Sequence, residues 1–281
     1  MRFLRIAFSA FFLLGMVVVP GHSESEVGVI VVANSGSKTW TKSVHAAVRA
    51  ANMPYTTRVF MGAGDSPMQQ ADLQAIVHDL EDDGANTIVV IPLTSSPFSE
   101  AFRQWRYLLG VDVQPGFNNT PLFPVERHST IRFAEPLNDS AVVVEILLDR
   151  IQEISRKAAE ESVFVVTYGP RDSSDNTRWL RTLQNLSRRV QERGNFKSVE
   201  GISLRDDIAS GDDRPKSMEE FRKKVEKVQV NSRVVIVSLA LTPNALENKL
   251  ALELRGLSYV YNNKPLMPDA RISEWIRSQL P

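Results

Sequence analysis

The chain contains no cysteine. Disulfides, thiolate zinc sites, iron–sulfur clusters and a cysteine nucleophile are therefore excluded. Histidine is nearly as scarce, with four residues in 281 to carry any imidazole chemistry. Charge of one sign is lacking too, because 33 basic side chains balance 33 acidic ones. A nucleic-acid partner needs a basic excess on some face, so none is expected. No glycine loop ends in Gly-Lys-Ser/Thr, and Asn34-Ser-Gly36 lacks the three-glycine spacing of a dinucleotide site. Ser35 has no Gly-x-Ser-x-Gly elbow around it and no histidine beside it in sequence, which argues against a serine hydrolase.

What is present is ordinary for a soluble globular protein: 43% hydrophobic and 23% charged residues. The length allows one large domain or two of roughly 100–150 residues. At the N-terminus, Arg2 and Arg5 precede the apolar stretch Ile6–Val19, and Gly21 and Ser23 follow it before Glu24-Ser-Glu26. That order describes a secretory signal peptide over residues 1–23, cleaved after Ser23, and hence an exported, periplasmic or secreted protein. The stretch falls short of the roughly 20 residues a membrane span needs, so no span is expected once the signal is removed. An uncleaved signal anchor is the alternative.

The remainder divides into two halves of one plan. Val27–Ala33 and Thr87–Leu93 are apolar runs without alternation, and Thr56–Met61 is a shorter strand. Between them, Trp40, Val44, Ala47, Val48 and Ala51 recur at three and four residues, and Met68–Leu80 and Ser99–Leu109 repeat the helical pattern. In the second half, strands are expected over Ser162–Val166, Val199–Leu204 and Arg233–Leu239. Helices are expected from about Asp175 to Arg193, Ser217 to Val228 and Asn244 to Leu254. Ser217-Met-Glu-Glu220 fits a capping box. Continuous apolar strands separated by helices predict an α/β fold of two tandem domains, each a parallel sheet flanked by helices on both faces. The expected boundaries are 26–154 and 162–281, with Ala141–Ile154 as a closing helix and 155–161 as a polar linker. The matching strand ends Asn34 and Tyr168 lie about 134 residues apart, a domain-sized period.

Ligands of open parallel sheets bind beyond the carboxyl ends of the strands. The candidate cleft is therefore lined by Asn34, Ser35, Gly36, Ser96, Phe98, Glu100, Arg103, Tyr168 and Gly169. Several of these sequences carry a resemblance. Val31-Val-Ala-Asn-Ser-Gly-Ser-Lys-Thr-Trp40, Ile88-Val-Val-Ile-Pro-Leu93 and Ser99-Glu-Ala-Phe-Arg-Gln104 resemble the class II chelatases, the sirohydrochlorin cobaltochelatase and ferrochelatase group. Val165–Pro170, Asp175–Trp179 and Ser203–Asp207 extend the resemblance through the second half. It implies ATP-independent insertion of a divalent metal (cobalt, nickel, iron or zinc) into a tetrapyrrole, a lyase-type activity. It also implies histidine at the turn after the first strand and in the loop after Pro92-Leu93. Here those positions hold Asn34 and, at or beside the second, Phe98; their counterparts in the second half are Tyr168 and Pro243-Asn244. Asparagine is a weak oxygen donor and phenylalanine offers a metal nothing.

The same expectations therefore include binding of metal or tetrapyrrole with insertion in doubt, and alternatively a non-catalytic exported ligand-binding or structural protein that retains the fold. A two-lobed solute-binding protein would need only the signal and two α/β lobes. Substitute metal ligands are Glu100, whose other reading is favourable placement at a helix N-terminus, and His128, next to Glu126-Arg127. His45 and His78 read as helical surface residues. Asp172, Asp175, Asp206 and Asp207 form acidic clusters, two of them at helix starts. Arg103 with Arg106, or Arg178 with Arg181, would suit tetrapyrrole carboxylates or equally a solvated face. Trp40, Phe98, Trp105 and Tyr168 would suit a flat macrocycle, with core packing the other fate of Trp40 and Trp105.

Overall fold

The computed structural model describes residues 26–117, 121–205, 216–243 and 246–281. The segment read as a signal peptide, and Asp206, Asp207 and Asn244, lie outside the described residues. The first half contains β1 (Val27–Ala33), α1 (Lys38–Ala51), β2 (Thr57–Met61), α2 (Pro67–Asp82), β3 (Thr87–Pro92), α3 (Glu100–Leu108), β4 (Thr130–Phe133) and α4 (Ala141–Gln152). The second half repeats the series as β5 (Glu161–Tyr168), α5 (Ser173–Gly194), β6 (Ser198–Leu204), α6 (Lys216–Gln229), β7 (Arg233–Ser238), α7 (Leu246–Glu253), β8 (Val260–Asn262) and α8 (Ala270–Ser278). The strand orders are β2-β1-β3-β4 and β6-β5-β7-β8, and every neighbouring pair is parallel.

The apolar runs take the central places because a central strand of a parallel sheet is covered on both faces. Residues 28–33 of β1 and 88–92 of β3 are all buried. Their two faces feed different cores. Ile30, Val32, Ile88 and Val90 pack with Leu73, Val77 and Leu80 of α2 and Phe102 and Trp105 of α3. Val29, Val31, Val89 and Ile91 face a larger core shared with the second half, which includes Val163, Val165, Trp179 and Val237. The second sheet's other face packs on α6 and α7 through Met218, Phe221, Val225 and Leu250.

The shared core is a layer of four helices between the two sheets, and the last helix of each half crosses over. Helix α4 packs against α5 and β7, and α8 lies on α1. The stripe Ile272, Trp275 and Ile276 of α8 is buried there, and the Arg277 guanidinium donates to the Asn52 carbonyl at 3.1 Å. On the other side, the Asn262 side-chain amide donates to the Arg150 carbonyl at 2.7 Å, joining α4 to β8.

Helix starts follow their caps. The hydroxyls of Ser37, Ser66, Ser99 and Ser140 accept the N–H groups of Trp40, Gln69, Phe102 and Val143, each three residues on. Ser217 is a correction: α6 begins at Lys216, so Ser217 lies inside the helix, where its hydroxyl accepts the Arg205 N–H at 3.0 Å. Residues 155–161 hold a short turn of 3₁₀ helix and end in Glu161, which is 1% exposed at the start of β5. The Glu161 carboxylate accepts from Arg233 on β7 at 2.5 Å, from the Ser155 hydroxyl at 2.5 Å and from the Arg156 N–H at 2.8 Å. Burial pushes its pKa upward, but these donors outweigh that and hold it below the usual glutamate value.

Candidate functional site

Equivalent strands end on the same side of each sheet, and the loops after β1, β3, β5 and β7 carry the candidate residues. Asn34, Ser35 and Gly36 form an exposed turn, pinned where the Trp40 indole N–H donates to the Asn34 carbonyl at 2.8 Å. Ser96 is buried, and its hydroxyl accepts the Phe98 N–H at 3.1 Å, which shapes the loop entering α3. Tyr168 is the last residue of β5, not a turn residue, and is 42% exposed. Gly169 sits so close to β6 that a Cβ there would meet the Ser203 Oγ at 1.9 Å, so a larger residue would have to displace that hydroxyl.

The two halves touch through these loops. The Phe98 ring meets the buried indole of Trp179 edge-on, with centroids 6.4 Å apart, and the Arg178 guanidinium lies 4.9 Å from the Phe98 centroid. Arg103 on α3 donates to Asp175 on α5 at 2.5 Å, and Asp175 also pairs with Arg178. Glu100 lies 3.8 Å from Arg171. Asp172 caps α5 by accepting the Asp175 N–H at 2.8 Å; that bond, with the Ser174 hydroxyl, holds its carboxyl below the usual aspartate value. Arg205, just after β6, braces the 169–172 loop, its Nε donating to the Pro170 carbonyl at 3.0 Å. Four arginines, Arg103, Arg171, Arg178 and Arg205, and three carboxylates, Glu100, Asp172 and Asp175, thus lie at the junction and its bracing loop, an excess of one positive charge.

Other candidates fall elsewhere. His128 lies just before β4, at the opposite end of the first sheet. The N–H groups of His128 and Ser129 both donate to Glu81 at 2.7 Å. Burial works to raise the Glu81 pKa, and these donors bring it below the usual value. His78 shares a hydrogen bond with Gln74 on α2, and a surface groove of about 470 Å³ separates neither histidine from solvent. Another groove, of about 490 Å³, runs between α5 and the edge strand β6. Both are remote from the strand-end loops, whose chemistry is concentrated where the halves are in contact. Arg106 is corrected as a cleft residue: it pairs bidentately with Asp112 and stacks near Phe102 and Phe133. Trp40 and Trp105 are core residues, 5% and 0% exposed. Among the described residues, no group of three or more histidine, aspartate or glutamate side chains is placed to hold a metal ion.

Sequence reasoning did not single out Arg171, Arg205 or Trp179 individually, although Arg171 ends the strand-end loop 168–171 and Arg205 lies within Ser203–Asp207. Trp179 was within reach, since it closes the Asp175-Asn-Thr-Arg-Trp179 motif and lies one turn from Asp175.

The sequence matches no family model and no curated protein. Among solved structures, SirB from Bacillus subtilis, determined with Fe3+, superposes with a TM-score of 0.62 at 16% identity, over 90% of this chain and 94% of that one. DR2241 from Deinococcus radiodurans superposes with a TM-score of 0.53 at 12% identity over 91% of this chain. The match covers 55% of DR2241, described as a multi-domain protein with structural similarity to chelatases and two additional novel domains. At these identities the likeness is one of fold. The architecture is chelatase-like: two four-stranded parallel sheets flanked by helices. No helix among the described residues is long and apolar enough to cross a membrane.

Proposed function

We propose that this chain is an exported, chelatase-fold protein that binds a carboxylate-bearing tetrapyrrole, sirohydrochlorin or a close analogue, between its strand-end loops, without inserting metal. Its two tandem lobes, 26–154 and 162–281, act as one duplicated unit around that ligand. The observation that carries the reading is the Phe98 ring under the Arg178 guanidinium, in the loop where the resemblance places a metal-gripping histidine. An aromatic face suits a flat macrocycle, and guanidinium groups suit its carboxylates. Insertion also needs a neutral imidazole or comparable donor and a base for the pyrrole protons. Asn34 and Phe98 supply neither, and the four histidines lie at 22, 45, 78 and 128, outside these loops.

Phe98→Ala is expected to weaken sirohydrochlorin binding about tenfold, by removing a stacking face of about 1–1.5 kcal/mol. Titration followed by the macrocycle's absorbance checks this, and unchanged affinity in a folded variant would mean that Phe98 serves core packing alone. Export predicts that protein recovered from outside the cytoplasm begins at Glu24; recovery only in the cytosol with residues 1–23 intact would remove that part of the reading.

A further inference from the structure

Two N–H groups at the junction are buried and have no hydrogen-bond acceptor in the protein: Arg103 Nε and Trp179 Nε1. They belong to neighbouring side chains. Arg103 spends another nitrogen on Asp175, and Trp179 follows Asp175 by one turn on α5 and packs on Phe98, which precedes α3. Trp179 is fully buried. A buried donor without an acceptor is costly, and structures seldom retain one that water could reach. Two such groups, on residues of the helices that the Arg103–Asp175 ion pair joins, mean that the closed junction is incompletely satisfied.

Resting on the reading above, we infer that Arg103 Nε and Trp179 Nε1 are the ligand-recognition donors of the cleft, and that a tetrapyrrole carboxylate takes them by displacing Asp175 from Arg103. The exchange is non-covalent. One carboxylate leaves the Arg103 guanidinium and another replaces it, so the charge pairing at Arg103 is conserved. The gain is the two N–H groups, which the entering carboxylate can satisfy and the Asp175 carboxylate does not. Asp175 keeps Arg178 as its partner during the exchange. The Arg103–Asp175 contact is therefore a latch whose opening the ligand drives, and the ligand's affinity is set by competition with an internal carboxylate.

The test uses the mature chain and sirohydrochlorin. Arg103→Lys keeps the charge and can still pair with Asp175 but lacks the Nε donor; Trp179→Phe keeps an aromatic ring but lacks the indole N–H. Each is expected to lower affinity about fivefold, the worth of one net hydrogen bond. In the ¹H–¹⁵N spectrum of the wild type, the indole resonance that vanishes in Trp179→Phe should move downfield when ligand is added, a response that a purely structural tryptophan would not give. Wild-type binding with an unmoved Trp179 indole resonance, or with unchanged affinity in folded Arg103→Lys, overturns this inference and leaves the tetrapyrrole reading standing. No binding by the wild type overturns both.

Discussion

Replacing Glu161 with alanine is expected to destabilise the fold by about 3–5 kcal/mol, the usual consequence of stripping one partner from a buried ion pair. Glu161 is the point where three elements meet: the chain leaving α4, the start of β5, and Arg233 at the start of β7. Without it, a half-buried guanidinium and the Ser155 and Arg156 donors lose their acceptor together. The midpoint of thermal unfolding should fall by about 6–20 °C, given roughly 2–4 °C per kcal/mol for chains approaching this size. Glu161→Gln should cost less, since the amide oxygen still accepts, though its NH2 group faces donors. The same carboxylate sets an acid limit. Its native pKa lies below its value in the unfolded chain, so the unfolded state takes up protons first as pH falls. Its contribution is complete well above the ordinary value of 4.5 and is lost as pH drops through the lower native value. Thermal unfolding followed from pH 7 downward should therefore show a drop below about pH 4.5 that is smaller in Glu161→Gln. An alanine variant as stable as wild type would show that the network is dispensable.

The second large effect is at Asp175, and its two readouts move in opposite directions. Asp175→Ala removes the acceptor shared by Arg103 and Arg178. Arg103 is 36% exposed, so water takes up part of the loss, and a cost of about 2–3 kcal/mol is expected, below that at Glu161. Sirohydrochlorin affinity should rise, by about tenfold, because the internal competitor for Arg103 is gone. Calorimetric unfolding and absorbance titration on one preparation measure both. Loss of stability accompanied by loss of affinity would make Asp175 a scaffold for the cleft and not its latch.

Much of the fold was legible because of where strands sit. β1, β3, β5 and β7 are central and covered on both sides, so they appear as unbroken apolar runs. β4 and β8 were not foreseen. They are edge strands of four and three residues, and the alternating exposure of Thr130–Phe133 leaves no run to notice. Helix α8 has an ordinary amphipathic stripe, Ile272, Trp275 and Ile276, but nothing local says that it packs on α1, more than two hundred residues earlier. Ser217 shows the converse failure: a capping pattern was present, but the Ser217 hydroxyl accepts the Arg205 N–H from within the helix. The strand-end loops followed from the ends of the apolar runs, which composition marks well. The contacts that join these loops did not, because Arg103 and Asp175 are 72 residues apart and each has a plausible local explanation, as a helix-surface arginine and a helix-start aspartate.

The fold is shared with a protein solved with Fe3+, while the loops where the resemblance implies histidines hold asparagine and phenylalanine. The most direct test is to mix mature protein with sirohydrochlorin, add Co2+, and follow the macrocycle's absorbance against a protein-free control. A tetrapyrrole-binding protein without insertase activity gives a stable spectral shift on adding protein, with saturation at a fixed stoichiometry, and metal incorporation no faster than in the control. Incorporation faster than the control, or an unshifted spectrum throughout, would contradict that reading.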